Sequence, residues 1–195
     1  MQKCLCVKEQ CEDENEIRRA GMELLDIMQA RRSVRCYTEE AIPEEKLDLI
    51  LKAGLLSPSG RNKKPWEFIL VRDKDMLKKL ANCRPAGSTI LAGANAAIVV
   101  IGDSTITDVW TEDCSIAMTQ MHLMADCIGV GSCWVQVRLR TSPDGGSAEA
   151  VVRELLKIPE KYAPEAILCL GMPENHPEAH KLEDLPMEKV HAEMF

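Results

Sequence analysis

Three arginines fall within the five residues Arg31-Arg32-Ser33-Val34-Arg35, with a hydroxyl among them, in a chain of 195 residues whose formal net charge is -7. A guanidinium presents a planar fork of donors that fits phosphate oxygens, and it keeps its charge. A local cation cluster against an acidic background is therefore a candidate anion site. Two later segments could complete it. One is the polar run Ser57-Pro58-Ser59-Gly60-Arg61-Asn62-Lys63-Lys64-Pro65-Trp66, and the other is the glycine-containing turn Gly129-Val130-Gly131-Ser132-Cys133-Trp134. Together they read as pieces of a site for a phosphorylated, planar cofactor. Singly, each has a plainer explanation. Cations at a helix end are favoured by ~0.3–1 kcal/mol, Ser, Gly and Asn are the usual turn residues, and a glycine can stop a helix before a tight connection. Their joint occurrence, in this order, carries the functional reading.

Composition narrows the classes. The length suffices for one domain with a full hydrophobic core, and 46% hydrophobic residues is ordinary for a globular protein. A pI near 5.2 argues against nucleic acid, which is bound largely through a basic face. The longest apolar run, Ala94 to Ile101, suits a buried strand and is too short to span a bilayer. The N-terminus lacks the apolar segment of a secretion signal, so the cytoplasm is the expected location. Nine cysteines, an odd number, make a disulfide framework an unsuitable reading. Cys114, Cys127 and Cys169 are expected as small core residues. Cys4, Cys6 and Cys11 sit in a polar leader at a spacing that matches no usual zinc site.

Periodicity defines the helices and strands that carry these residues. Residues 1–15 read as a loosely ordered leader, and residues 16–195 as a single domain. Ile17, Ala20, Leu24, Leu25 and Met28 recur at near-helical spacing and would deliver the arginines at a helix end. Pro43, Glu44 and Glu45 open a second helix that runs to the Ser57-Pro58 break. Strands are expected at Trp66–Val71, Ala96–Ile101, Ser132–Val137 and Ala166–Leu170. Helices are expected from Asp73 to about Leu80, from Thr111 to Ile128 and from Ala148 to Lys157. The Thr111–Ile128 helix is apolar almost all round, which suits a core or a subunit interface. The tail from Glu174 is charged and proline-punctuated and would wrap across something. The class is mixed α and β.

Several standard motifs fail. Trp134 stands where a dinucleotide fingerprint needs its third glycine, and the turn leads from helix to strand, the reverse of that arrangement. There is no phosphate-loop signature, no G-x-S-x-G elbow and no His-Glu-x-x-His. His176 and His180 read as solvated side chains in the tail.

Taken together, these segments make the chain resemble the FMN-dependent nitroreductase family. The marks are RRSVR (Arg31 to Arg35), SPSGRNKKPWEF (Ser57 to Phe68), EDCSIA (Glu112 to Ala117), GVGSCW (Gly129 to Trp134) and GMP (Gly171 to Pro173), spread from about Met22 to His191. The resemblance implies an α+β fold with a central, mostly antiparallel sheet flanked by helices in three layers. It also implies an intertwined homodimer with one FMN at each of two interfaces. Carried over by position, Arg31, Ser33 and Arg35, with Arg32 between them, would hold the FMN phosphate and ribityl chain. Pro58, Ser59 and Gly60, with Asn62 in the same loop, would come from the other subunit and lie along the isoalloxazine. Cys133, Trp134 and Val135 would pass the flavin's reactive side, where a backbone N–H can meet N5. Many members carry a basic pair in the tail that returns to the phosphate; here Lys181 would be the substitute. The implied activity is ping-pong reduction of nitroaromatics, quinones or similar electron-poor acceptors by NADH or NADPH. The flavin carries the chemistry and no catalytic side chain or metal is needed. Readings in the same fold are a dehalogenase, a flavin-fragmenting enzyme or an azoline dehydrogenase. A non-catalytic flavin or redox sensor is the reading from another class, motivated by Cys4, Cys6 and Cys11.

Overall fold

The computed structural model describes residues 23–195, so the cysteine leader and the first half of the expected N-terminal helix lie outside the described residues. The chain divides into two compact units. The larger comprises residues 32–177; the smaller combines the described residues 23–31 with residues 178–195.

The larger unit is built on four strands: β1 (Trp66–Val71), β2 (Ala96–Asp103), β3 (Gly131–Gln136) and β4 (Tyr162–Gly171). Their order is β1-β2-β4-β3 and every pairing is antiparallel, as expected. Four helices cover the two faces: α2 (Glu44–Leu55), α3 (Lys74–Ala81), α4 (Trp110–Cys127) and α5 (Ala148–Leu156); α1 is the helical stretch of residues 23–30 in the smaller unit.

β2 explains the layering. All eight of its residues are buried, and successive side chains point to opposite faces. Ala96, Ile98 and Val100 join Leu47 and Ile50 of α2 and Ala117, Met118 and Met121 of α4. Ala97, Val99 and Ile101 join Leu77 and Leu80 of α3 and Ala148 and Val152 of α5. The result is a sheet with one helical layer on each side.

Local chemistry sets the helix ends. The Asp73 carboxylate accepts the Met76 amide at 2.7 Å to start α3, and the Ser147 hydroxyl accepts the Ala150 amide at 3.3 Å to start α5. α4 stops in a Schellman arrangement. Gly129 has φ +73°, its N–H reaches the Asp126 carbonyl at 3.0 Å, and the Val130 N–H reaches the Ala125 carbonyl at 2.8 Å.

Three expectations change. β4 begins four residues before the expected Ala166, because Pro164 and Glu165 mask strand character; the register against β2 shifts there, and a bulge is where a sheet accepts a proline. Cys127 is exposed, since it falls off the buried stripe of α4 that Cys114, Ala117, Met121 and Ala125 define. Ile116 is also exposed, so α4 is one-sided in this chain. No described helix is long and apolar enough to cross a membrane.

Candidate functional site

Residues 32–38 run along the outer edge of β3. Ser33 bridges Ser132 in parallel, and the Val34 amide donates to the Ser132 carbonyl at 2.9 Å. Val34 is 2% exposed and packs over Gly131, where a Cβ would lie 2.8 Å from Val34 Cγ1. Anchoring Val34 inward turns its neighbours outward by the two-residue alternation of an extended chain: Ser33 is half-buried and Arg35 is exposed, with Arg35 Nη1 donating to the Ser33 carbonyl at 3.3 Å. Further on, Tyr37 bridges Pro173, and the Thr38 amide meets the Met172 carbonyl at 2.9 Å. The Tyr37 hydroxyl donates to the Val34 carbonyl at 2.7 Å, and burial pushes its phenol well above the ordinary range, so it stays a donor.

β3 supplies backbone more than side chains. Cys133 and Val135 are buried in the core shared with α3 and α5, while Trp134 lies on the other face with α4. Because the Ser132 carbonyl faces the outer edge, the antiparallel alternation turns the Trp134 amide to that same edge. Trp134 Nε1 donates to Gln136 Oε1 at 2.8 Å, and Gln136 Nε2 lies 3.4 Å from a carboxylate oxygen of Glu165. Burial raises the Glu165 carboxyl above its usual range, opposed by the hydrogen bond from Gln136 and the charge of Arg138. Arg138 Nε stands 3.9 Å from Glu165 Oε2, and its guanidinium lies over the Trp110 ring. Burial pushes the thiols of Cys114 and Cys169 each up to about 12, far from thiolate at neutral pH.

The second predicted segment is a strained loop. Arg61, Asn62 and Lys64 all have φ near +50°, a region that costs a non-glycine residue about 1–3 kcal/mol. The loop is held by the Ser59 hydroxyl, which accepts the Lys64 amide at 2.9 Å, and by Asp113 of α4, which accepts the Gly60 amide at 2.9 Å. Pro58, Arg61 and Asn62 are exposed; Ser59 and Gly60 are half-buried. Gly60, Arg61 and Lys63 face Thr107, Asp108 and Val109 across an open pocket of about 460 Å³. These predicted loop residues are brought together with one another.

Arg31 and Lys181 belong to the smaller unit. There Gln29 and His180 exchange two hydrogen bonds, His180 N–H to the Gln29 carbonyl at 3.0 Å and Gln29 Nε2 to the His180 carbonyl at 2.6 Å. Arg31 follows this pair at the end of α1, and Lys181 precedes the short turn Leu182–Asp184. Both candidate cations thus flank one fixed point.

Sequence reasoning assigned no individual role to His122, Ser132, Asp113 or Asp126. His122 and Ser132 form a buried pair, Nδ1 to Oγ at 2.5 Å, directly behind the Ser33 bridge. Asp126 accepts the Arg32 amide at 3.3 Å and lies 2.8 Å from His176 Nε2, so His176 is a hydrogen-bond partner of that carboxylate, an ion pair when protonated, and not a purely solvated side chain. The available signal was a histidine and two aspartates, Asp113 and Asp126, on an otherwise apolar helix. Among the described residues no group of three or more His, Cys, Asp or Glu is arranged to hold a metal.

The Nitroreductase family pattern matches residues 28–84 and 82–172. An FMN-dependent nitroreductase from Clostridium difficile R20291 superposes with a TM-score of 0.85 and is 44% identical, over 87% of this chain and 98% of that one. A candidate NADH dehydrogenase/NAD(P)H nitroreductase of Archaeoglobus fulgidus is 37% identical over 178 residues, 89% of this chain and 99% of its own length. Iodotyrosine deiodinase 1 of Rattus norvegicus shares 37% identity over 67 residues, only 34% of this chain and 24% of that enzyme. The chain belongs to the nitroreductase family.

Proposed function

We propose that this chain is an FMN-dependent oxidoreductase that takes reducing equivalents from NADH or NADPH and passes them to nitroaromatics, quinones or similar electron-poor acceptors. The observation that carries the reading is the Ser33–Arg35 segment, fixed by buried Val34 along the edge of β3 with hydroxyl and guanidinium facing out. Family membership and the FMN-dependent relative support it.

The residues present suit FMN. Arg31, Arg32, Ser33 and Arg35 would bind its phosphate and ribityl oxygens, with Lys181 from the tail as a further cation. The outward amide of Trp134, with the backbone of Cys133 and Val135, would lie beside the ring. Pro58, Ser59, Gly60 and Asn62 of a second copy would cover it. When bound, FMN supplies the two-electron redox chemistry. The chain's part is to hold the phosphate, orient the ring through β3 backbone and exclude water with the loop. Leu55, Leu56 and Ile116 are exposed in the single chain, which supports a homodimer.

Steady-state turnover with NADH and NADPH against a nitroaromatic, a quinone and an iodophenol tests this. Turnover of the first two supports the reductase reading. Turnover of the iodophenol alone supports a dehalogenase, the reading that the 67-residue deiodinase match favours. A protein that binds FMN but is not reduced by either nicotinamide contradicts both.

A further inference from the structure

Asp126, near the end of α4, accepts two hydrogen bonds on one oxygen, from the Arg32 amide at 3.3 Å and from His176 Nε2 at 2.8 Å. Arg32 opens the segment that Val34 anchors on β3, and His176 lies in the stretch that follows β4. The Asp126 side chain is 6% exposed, so water cannot readily replace either donor. His176 has acceptors at both ring nitrogens: Asp126 at Nε2 and the Pro177 carbonyl at Nδ1, 2.8 Å away. A neutral imidazole has one N–H and can satisfy only one of them; the imidazolium satisfies both. The charged groups facing this ring are Asp126 from α4 and Arg32 from the arginine segment. The Asp126 hydrogen bond raises the His176 pKa above its ordinary value, while burial and the Arg32 charge oppose the rise.

We propose that Asp126 is a positioning residue for the arginine segment, and that His176 makes its grip depend on pH. With His176 protonated, the ring bridges Asp126 and Pro177 and holds the carboxylate where it receives the Arg32 amide. Loss of the proton removes one of the two ring contacts and loosens that carboxylate. The sign follows from the raised pKa: the contribution is complete below the ordinary histidine range and is lost as pH rises through the folded value. The effect on cofactor binding rests on the functional reading above; the clamp itself does not.

Two measurements separate these. Proton NMR titration of the histidines in the full chain, with His176→Gln to identify the signal, gives the His176 pKa directly. It is expected above the ordinary histidine value in the wild type and lower in Asp126→Asn. An unchanged value in Asp126→Asn overturns the clamp. FMN titrations from about pH 6 to about pH 8.5 form the second arm. Wild-type affinity is expected to weaken about fivefold with rising pH relative to His176→Gln, the low end of couplings between linked sites. The ionisation of the FMN phosphate itself is common to both proteins and cancels in that comparison. Parallel pH profiles overturn the pH dependence. If the wild type takes up no FMN, the functional reading fails, and the NMR arm still decides the clamp.

Discussion

Asp113 on α4 accepts the backbone amide of Gly60 at 2.9 Å through Oδ1, while its Oδ2 is buried with no hydrogen-bond partner among the described residues. One carboxylate therefore ties the strained 60–64 loop to the core helix. That loop also carries three residues with positive φ, so it depends on external restraints to keep its shape.

Removing the acceptor should release the loop. Asp113→Ala leaves the Gly60 amide unpaired and is expected to cost about 1–3 kcal/mol in urea denaturation. Asp113→Asn keeps a carbonyl acceptor and should cost less. Equal losses for the two would show that the Gly60 contact is not what Asp113 contributes.

Gly131 sets how closely the arginine segment approaches β3. A Cβ there would meet Val34 Cγ1 at 2.8 Å, Val34 Cβ at 3.0 Å and the Gly171 carbonyl at 3.2 Å. Gly131→Ala must displace Val34 and with it Ser33 and Arg35. We expect a stability loss of about 1–3 kcal/mol by thermal melt, together with weaker FMN binding on titration.

Glu165 carries a pH prediction. Burial holds its carboxyl above the usual range, so the unfolded chain releases its proton first as pH rises. Stability from this group is present below the ordinary carboxylate pKa and lost as pH climbs through the folded value. Glu165→Gln should therefore melt higher than wild type at about pH 7.5, with the difference shrinking towards about pH 4.5. A gap that is constant with pH would show that the carboxyl's ionisation is not responsible.

These predictions divide along what could be read in the chain. β1 stands at the expected Trp66–Val71, and the unbroken apolar run Ala94 to Ile101 marked β2 as a buried strand. The glycine stop after α4 was legible because only a residue tolerant of φ +73° fits there. The early start of β4 was not, because Pro164 and Glu165 are depleted in strands and are tolerated only through a bulge that pairing with β2 creates. Arg32, Ser33 and Arg35 were legible as types, but their presentation depends on Val34 meeting Gly131, a contact between residues 97 positions apart. Asp113, Asp126 and His122 received no role from the sequence because each sits on a helix whose periodicity reads as core; their roles come from Gly60, Arg32 and Ser132, which only folding brings near.

The proposed function rests on FMN being held by the arginine segment. Titrating FMN into cofactor-free wild type, Arg31→Ala and Arg35→Ala tests it most directly. We expect a single FMN per chain for wild type and a loss of roughly 1.5–3 kcal/mol in each variant, the cost of one charge-assisted contact, or about ten- to 150-fold in affinity. A wild type that takes up no FMN, or variants that bind it as tightly as wild type, would contradict it.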